Sequence, residues 1–568
     1  MRLQEFIHSL EQGGLARWIW YSVVIAAMAI CYVFFVIVHF RGLSEANGMD
    51  QAQVAREIAR GNGFSTKDIR PIEIAMLRQN KPDFVLDNTP EIYHAPLNPF
   101  INSFFLRLTK KTWLMNVRDV VYASDRMIAT VAMVFMLLGF IVNFLTARMI
   151  FDEKIAALAI VLSLFCGQYW TFLLTGLPQM LMFFIFSCCA HVLFRAIEAH
   201  LAKNPTTWLL AIAGFLFGLL ALAHSLTIWI FIGALIFSVL YFSPRYKGTA
   251  VMLIVFLLVY SPWLVRNYRV CGNPFGLSHL SFIGSLNGAE LNRMRGQDVS
   301  LGGLSLGDMK SRMVSGYIDQ VSRLVFLVGQ NCVAPVFFVA LLYIFKRREA
   351  SDFRWCLFLM WIFAFVGVSI VGLNNSNNLF ILFIPLITLY GFAYVMMLWT
   401  RLDINIPLFR YTFIFIIYVI SGIPDYSLYS FTKAPSFLVN WPPYVPPFIA
   451  IMNTWTSDSE IIASDMPWAV AWYADRKSLL IPVSISDFLN IYDYRELNGN
   501  LVGLYLTPIT GNKALVSEIL KGDDKDWAPF VLRGVRSKDF PFQYSTPLGI
   551  DKECVFYCES DRWSPKAD

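Results

Sequence analysis

Asp50 is the carboxylate that stands where water-soluble chemistry meets an apolar segment. It follows the long apolar run Trp18–Phe40 by about ten residues, at the start of a stretch with helical spacing. A carboxylate at such a boundary can act as general base toward a hydroxyl group. On residue type alone the plainer reading is a helix cap, since Asp is a preferred N-cap and is favoured at a helix N-terminus. Farther on, Tyr93-His94-Ala95-Pro96-Leu97-Asn98-Pro99-Phe100 breaks an apolar run with two prolines, and Glu91 lies just before it. His94 and His224 can donate to a phosphate or, with Asp50 or Glu91, ligate a divalent metal. An interfacial polar role is the plainer reading of each His. Arg266, with Asn267, ends a later apolar run. Its guanidinium matches phosphate oxygens bidentately, or it snorkels to the interface; Arg269 is the second choice. Arg60, Lys67 and Arg70 read as a solvated face of the segment after the first run, or as phosphate or sugar contacts, with Arg60 carried forward as the candidate. His191, inside an apolar run, suits helix–helix hydrogen bonding. Asp465 and Trp468 are possible acceptor contacts, or a strand end and a packed aromatic.

These groups need elements to hold them. The chain has 568 residues, 57% apolar and 15% charged, with mean hydropathy +0.54. Soluble domains run nearer 45–50% apolar and about 25% charged, so a polytopic membrane protein is expected. A span takes about 20 apolar residues. Eleven stretches qualify: 18–40, 126–149, 155–172, 177–196, 207–223, 225–242, 249–265, 324–345, 355–373, 379–399 and 407–424. With the N-terminus cytoplasmic, the loops on that side collect Lys and Arg, as the positive-inside rule requires. Segments 41–125 and 266–323 and the tail 425–568 then fall outside. The basic excess of residues 1–430 therefore marks cytoplasmic loops, not a nucleic-acid site.

The outer segment 41–125 holds two amphipathic stretches, 49–61 ending at Gly61 and one opened by the prolines near 96–99, expected to lie in the membrane interface. Residues 1–424 form one module. Residues 425–568 read as an α/β domain: Glu460–Asp465, Ser478–Val483, Leu501–Thr507 and Pro529–Val535 are strand-like, and Pro467–Ala474 and Asn512–Leu520 helical, which suggests a mainly parallel sheet. Cys554 and Cys558 share a strand-like run and cannot bridge each other. No Gly-rich phosphate loop follows a strand, which argues against a nucleotide site.

The order of features resembles the GT-C membrane glycosyltransferases, the superfamily of protein O-mannosyltransferases and lipid A aminoarabinose transferases. An Asp follows the first span; then come Ala55–Gly63 (ARG-N-G at its end), the Pro-interrupted aromatic box and many spans. Arg126–Glu153 looks like the family's second span and cytoplasmic turn, and Ala213–His224 like its glycine-bearing segment. Ser261–Gly276 (SPWLVRNYRVCGNPFG) is the most specific match, and Ala463–Pro482 resembles the outer domain of bacterial members.

The resemblance implies a mainly α fold of about eleven spans with an extracytoplasmic α/β domain. It implies an enzyme that passes a sugar from a polyprenyl-phosphate carrier to a lipid, glycan or protein acceptor outside the cytoplasm, in a bacterial inner membrane. Asp50 falls at the family's first-loop acidic residue, which deprotonates or orients the acceptor. Carrier phosphate or sugar would meet Arg266, Asn267, Arg269, His94, Glu91, Tyr93, Arg60 and His224. A divalent metal, if used, would draw on Asp50, Glu91 and His94. The chain departs from the pattern at Gln51, where many members have Glu; at Tyr93–Leu97, where aminoarabinose-type members have Glu-Lys-Pro-Pro-Leu; and at Asn374–Asn378, where a late loop often carries Arg. A transporter or flippase for a lipid-linked substrate, and a scaffold that kept the fold without the chemistry, are the rivals.

Overall fold

The computed structural model describes most of residues 40–564, together with residues 30, 33 and 35; it leaves out 281–293, 298–305, 403–405, 426–445, 494–500, 508–524, 532–539, 550–553 and some single positions. The chain forms two compact units, Met1–Arg41 with Asp425–Val439, and Gly42–Pro424 with Asn440–Asp568. The fold described is that of the second. The expected span 18–40 lies almost wholly outside the described residues.

Helices carry the apolar segments. Among the described residues four are long and apolar enough to cross a membrane: Ala123–Ile150, Gln179–Leu201, Lys247–Cys271 and Arg348–Val371. Thr207–Ala223, Ser225–Tyr241, Ile384–Thr400 and Pro407–Gly422 are shorter apolar helices. Val134, Leu138 and Ile141 of the first and Ile254, Leu257 and Leu258 of the third are exposed. Apolar faces of that size are stable against lipid and costly in water. Polar groups inside the helices pair with neighbours: Asn143 Nδ2 donates to Ser187 Oγ (2.6 Å), and Thr146 Oγ1 meets His191 Nδ1 (3.0 Å). His191 thus has the helix–helix role expected of it.

Two expected spans are broken. Segment 155–172 forms Glu153–Ser163 and Gly167–Phe172. Segment 324–345 forms only Leu324–Leu327 and Val336–Ala340. Gly329 (φ 87°) and Gln330 (φ 57°) sit between these pieces in the left-handed region, and Asn331 Oδ1 accepts from the Ala334 N–H (2.7 Å). Left-handed residues cannot continue a right-handed helix, so the hydropathy of the segment misleads.

Segment 41–125 opens with α1, Ala46–Arg60, ended by Gly61 at φ 96°. Its residues Gly48 to Glu57 are all buried, so α1 is not the interfacial helix expected. Nor does Asp50 cap it: the N-cap is Glu45. After it come β1 (Ser65–Thr66), β2 (Asp68–Ile69), α2 (Pro71–Asn80), β3 (Thr89–Pro90) and α3 (Leu97–Leu106). The strands β4 (Ile461–Ser464), β5 (Lys477–Leu480), β6 (Leu501–Leu506), β7 (Tyr544–Leu548) and β8 (Cys554–Cys558) follow the helices.

Six strands make one sheet in the order β2-β5-β4-β6-β8-β7, parallel from β2 to β6 and antiparallel at β8 and β7. Alternation sends side chains to two faces. Ile461, Ala463 and Leu504 pack with Ile69 and Phe488 on one side. Ile462, Tyr505 and Phe556 pack on the other with Met49, Ala52 and Ala55 of α1. This second layer is why α1 is enclosed. Pro529 lies in a short helix, Ala528–Val531, not in a strand, since proline has no N–H for a ladder. Asn512–Leu520 lies outside the described residues.

Gly48 lets α1 reach the loop before Gln179–Leu201. A Cβ on Gly48 would fall 1.8 Å from the Thr175 carbonyl oxygen. Gly48→Ala therefore has to move backbone, and we expect it to cost about 1–3 kcal/mol, the range for overpacking. A fall in thermal unfolding midpoint in detergent checks this; an unchanged midpoint would show that the contact yields freely.

Candidate functional site

Three local structures meet at Asp50. Helix α1 presents Asp50 and, one turn on, Gln53 on the same face. The β1–β3 pair joins Ser65 to Pro90 and Thr66 to Thr89, and the Glu91 N–H donates to Phe64 O (3.1 Å), so residues 91–94 run beside the start of the outer segment. Pairing of Asp68 with Ser478 and of Ile69 with Leu479 fixes the turn that ends in Arg70.

The Asp50 side chain is buried. Its Oδ2 accepts from Arg70 Nη2 and lies 2.7 Å from His94 Nε2, and Gln53 Nε2 is 3.4 Å from Oδ1. Burial pushes the Asp50 carboxyl up, but Arg70 and His94 outweigh it and hold the group well below the usual carboxylate range. Arg70 also donates to Asp68 Oδ2 (3.2 Å), stands 3.6 Å from Glu73 Oε2, and stacks over the Tyr93 ring at 4.7 Å. Burial drives the Asp68 and Glu73 carboxyls far up. One guanidinium cannot neutralise every acid around it, so the three carboxyls compete for Arg70, and Asp50, with His94 beside it, holds its charge most firmly.

Glu91 Oε1 accepts from the backbone N–H groups of Tyr93 (2.5 Å) and His94 (2.8 Å). It shapes the turn that aims His94 at Asp50. Arg266 donates to the carbonyls of Glu91 and Phe64 (3.2 Å for the latter) and to Asn267 Oδ1 (2.9 Å), and stacks on Trp263 at 4.9 Å. It clamps the end of Lys247–Cys271 onto residues 64 and 91. His224 Nδ1 accepts from the Leu226 N–H (3.3 Å), so its ring is neutral with the proton on Nε2.

Two cavities flank this group. The larger, about 300 Å³, is lined by Asp50, Asp68, Arg70, Met294, Trp468 and Leu480 among others. The smaller, about 110 Å³, takes in Gln51, His94, His224 and the Asn374–Asn377 loop. Asn47 and Tyr93 line both.

The structure thus brings together Asp50, Glu91, Tyr93, His94, His224, Arg266 and Asn267. It leaves out two. Arg269 is exposed at the helix end, its carbonyl held by Asn80 Nδ2 (3.1 Å). Arg60 sits at the far end of α1, bonded to Glu57 Oε1 (2.7 Å) and to Asp475 Oδ1 (2.8 Å) and Oδ2 (2.5 Å). Nor do Arg60, Lys67 and Arg70 form a solvated face: Arg70 is buried, and Lys67 joins Arg60 on Asp475 (2.7 Å). Gln53, Asp68 and Glu73 were not among the residues singled out, and Arg70 was read as solvent-facing or a phosphate contact, because nothing in the spacing announces the β2–β5 pairing that turns residues 68–73 inward. Asp465 accepts from Thr507 N–H (3.0 Å) and Oγ1 (2.6 Å), a bond between strand ends, whereas Trp468 does face the larger cavity.

The expected metal set does not fit. Both Nε2 of His94 and Nη2 of Arg70 point at Asp50 Oδ2, Glu91 Oε1 is engaged by backbone, and among the described residues no three His, Cys, Asp or Glu side chains are grouped to hold an ion.

No family model and no curated protein matches the sequence. Solved structures do match in shape. The archaeal oligosaccharyltransferase AglB from Archaeoglobus fulgidus, in complex with an inhibitory peptide and a dolichol-phosphate, aligns at TM-score 0.52 and 13% identity over 96% of this chain and 75% of its own. ArnT from Cupriavidus metallidurans, bound to undecaprenyl phosphate, aligns at TM-score 0.51 and 12% identity over 95% and 98%. The chain has the GT-C fold. A further GT-C structure, the A. fulgidus oligosaccharyltransferase in complex with Zn and sulfate, aligns at TM-score 0.50 and 13% identity over 89% of this chain and 70% of its own. The GT-C fold and the apolar helices together make this an integral membrane protein.

Asp475 is the other concentration of charge. It takes the left-handed conformation (φ 56°), with Arg56 (3.1 Å), Arg60 and Lys67 on its carboxylate. Burial raises its pKa, but the three cations, Arg56 foremost, leave it well below the ordinary 3.8. A carboxylate whose pKa falls on folding stabilises the protein above its unfolded value, and loses that contribution as pH drops through the folded one. We expect Asp475→Asn to cost about 1–3 kcal/mol at neutral pH, the scale of hydrogen bonds to charged groups. The gap in unfolding midpoint between variant and wild type should narrow below about pH 4; a gap that widens in acid would contradict this.

Proposed function

We propose that the protein is a glycosyltransferase that moves a sugar from a polyprenyl-phosphate carrier to an extracytoplasmic acceptor, with Asp50 as the group that receives the acceptor proton. The supporting observation is the position of Asp50: an enclosed, ionised carboxylate on the wall of one cavity, one hydrogen bond from a histidine on the wall of the other. The acceptor hydroxyl enters the larger cavity and donates to Asp50. Its oxygen attacks the anomeric carbon of a sugar presented from the smaller cavity, and the bond to the carrier phosphate breaks as the proton passes to Asp50. A carboxylate held so low is a weak Brønsted base, so orientation carries much of its effect. His224 supplies an N–H on the donor side. The carrier lipid lies against the spans, the N-terminus in the cytoplasm and the sheet outside, in a bacterial inner membrane. AglB and ArnT were crystallised with dolichol-phosphate and undecaprenyl phosphate, which favours a polyprenyl carrier here.

The test is sugar transfer by purified protein from radiolabelled polyprenyl-phosphate sugars. Transfer from at least one donor is expected. Tight binding of the carrier with no transfer from any donor would favour the flippase or the inactive scaffold.

A further inference from the structure

The smaller cavity is walled mainly by amides, hydroxyls and two histidines. Asn374, Ser376 and Asn377 of one loop and Asn47 and Gln51 of α1 line it. Among the described residues no Lys, Arg, Asp or Glu lines it. Of its two histidines, His224 is neutral, and His94 turns Nε2 toward Asp50. This wall is built, not loose. Asn47 Nδ2 donates to Ser376 Oγ (2.8 Å), and Gln179 Nε2 holds the carbonyls of Asn375 (2.9 Å) and Ser376 (2.8 Å). Asn98 Nδ2 donates to Gln51 Oε1 (2.7 Å). The size also fits: a water needs about 10–15 Å³ by this measure, so 110 Å³ holds roughly as many waters as a single sugar ring displaces.

We infer that this cavity selects an uncharged sugar, and that Gln51 and the Asn374–Asn377 loop exclude amino and carboxylated sugars. The inference rests on the glycosyltransferase reading above. Amide and hydroxyl side chains donate and accept, as sugar hydroxyls do. An ammonium or carboxylate in the same place would lose its water and find no opposite charge.

The experiment compares one polyprenyl-phosphate carrier bearing a neutral hexose, an amino sugar or a uronic acid. With wild-type protein, kcat/KM for the hexose should exceed that for either charged sugar by about 10²-fold or more, as expected where a buried charge is left unpaired. Gln51→Glu puts an acid in the wall while leaving an oxygen for Asn98. It should raise the ratio of amino sugar to hexose by about tenfold or more and should not help the uronic acid. Equal use of a charged sugar by the wild type, or an unmoved ratio in Gln51→Glu, overturns the inference and leaves the enzyme class standing. Transfer from none of the three removes the enzyme class and this inference with it.

Discussion

Asp50→Asn is expected to lower kcat for sugar transfer by about 10²-fold or more, the scale of a lost general base. The substitution keeps the shape of the side chain and removes its charge. Its carbonyl oxygen can still accept from Arg70 or His94, and Arg70 keeps Asp68 as a counter-ion at 3.2 Å. The fold should therefore survive, and so should donor affinity, because the smaller cavity is lined by other residues. Loss in kcat with KM for the donor nearly constant is the signature of an interaction made in the transition state. Initial rates with a labelled donor, beside an unfolding curve for the same preparation, separate the two. A rate within about threefold of wild type would take the role from Asp50.

Arg70→Met should be the most destabilising single change at the site. Arg70 is buried among Asp50, Asp68 and Glu73. Removing one partner of a buried ion cluster costs about 3–5 kcal/mol, because an unpaired charge is left behind. Here the acids can escape only by taking up protons. The penalty should thus shrink at lower pH, and shrink again in the double variant Arg70→Met/Asp68→Asn, which has one acid fewer to neutralise. Thermal midpoints across pH measure both. If Arg70→Met unfolds like the wild type, Arg70 is not the counter-ion of this cluster.

Much of the helical part was legible because a span imposes one simple demand, a long apolar run. Ala123–Ile150, Gln179–Leu201 and Arg348–Val371 each met it. The run at 324–345 also met it and is broken, because composition does not register the left-handed turn at Gly329 and Gln330. Strands β4, β5 and β6 were readable as short apolar runs set between helical stretches. Strand β2 was not, since two residues carry no periodicity. That pair hides the most consequential part of the site. Asp50 and His94 could be named from their places in a family pattern, but Arg70 turns inward only because β2 joins β5. Arg266 is the converse case, its type having left phosphate contact and interfacial anchor both open. Three of its donor contacts hold backbone and Asn267 instead.

The pairing of Asp68 with Ser478 and Ile69 with Leu479 also sets an order of assembly. A ribosome delivers residue 68 long before residue 478, and domains tend to fold as they emerge. Strand β2 must wait, its edge unsatisfied, through synthesis of every intervening helix. Until β5 arrives, Arg70 has no fixed direction and Asp50 lacks the ion that keeps it charged. The group around Asp50 is therefore incomplete through most of synthesis, and takes its final arrangement only when the last fifth of the chain closes on its first hundred residues.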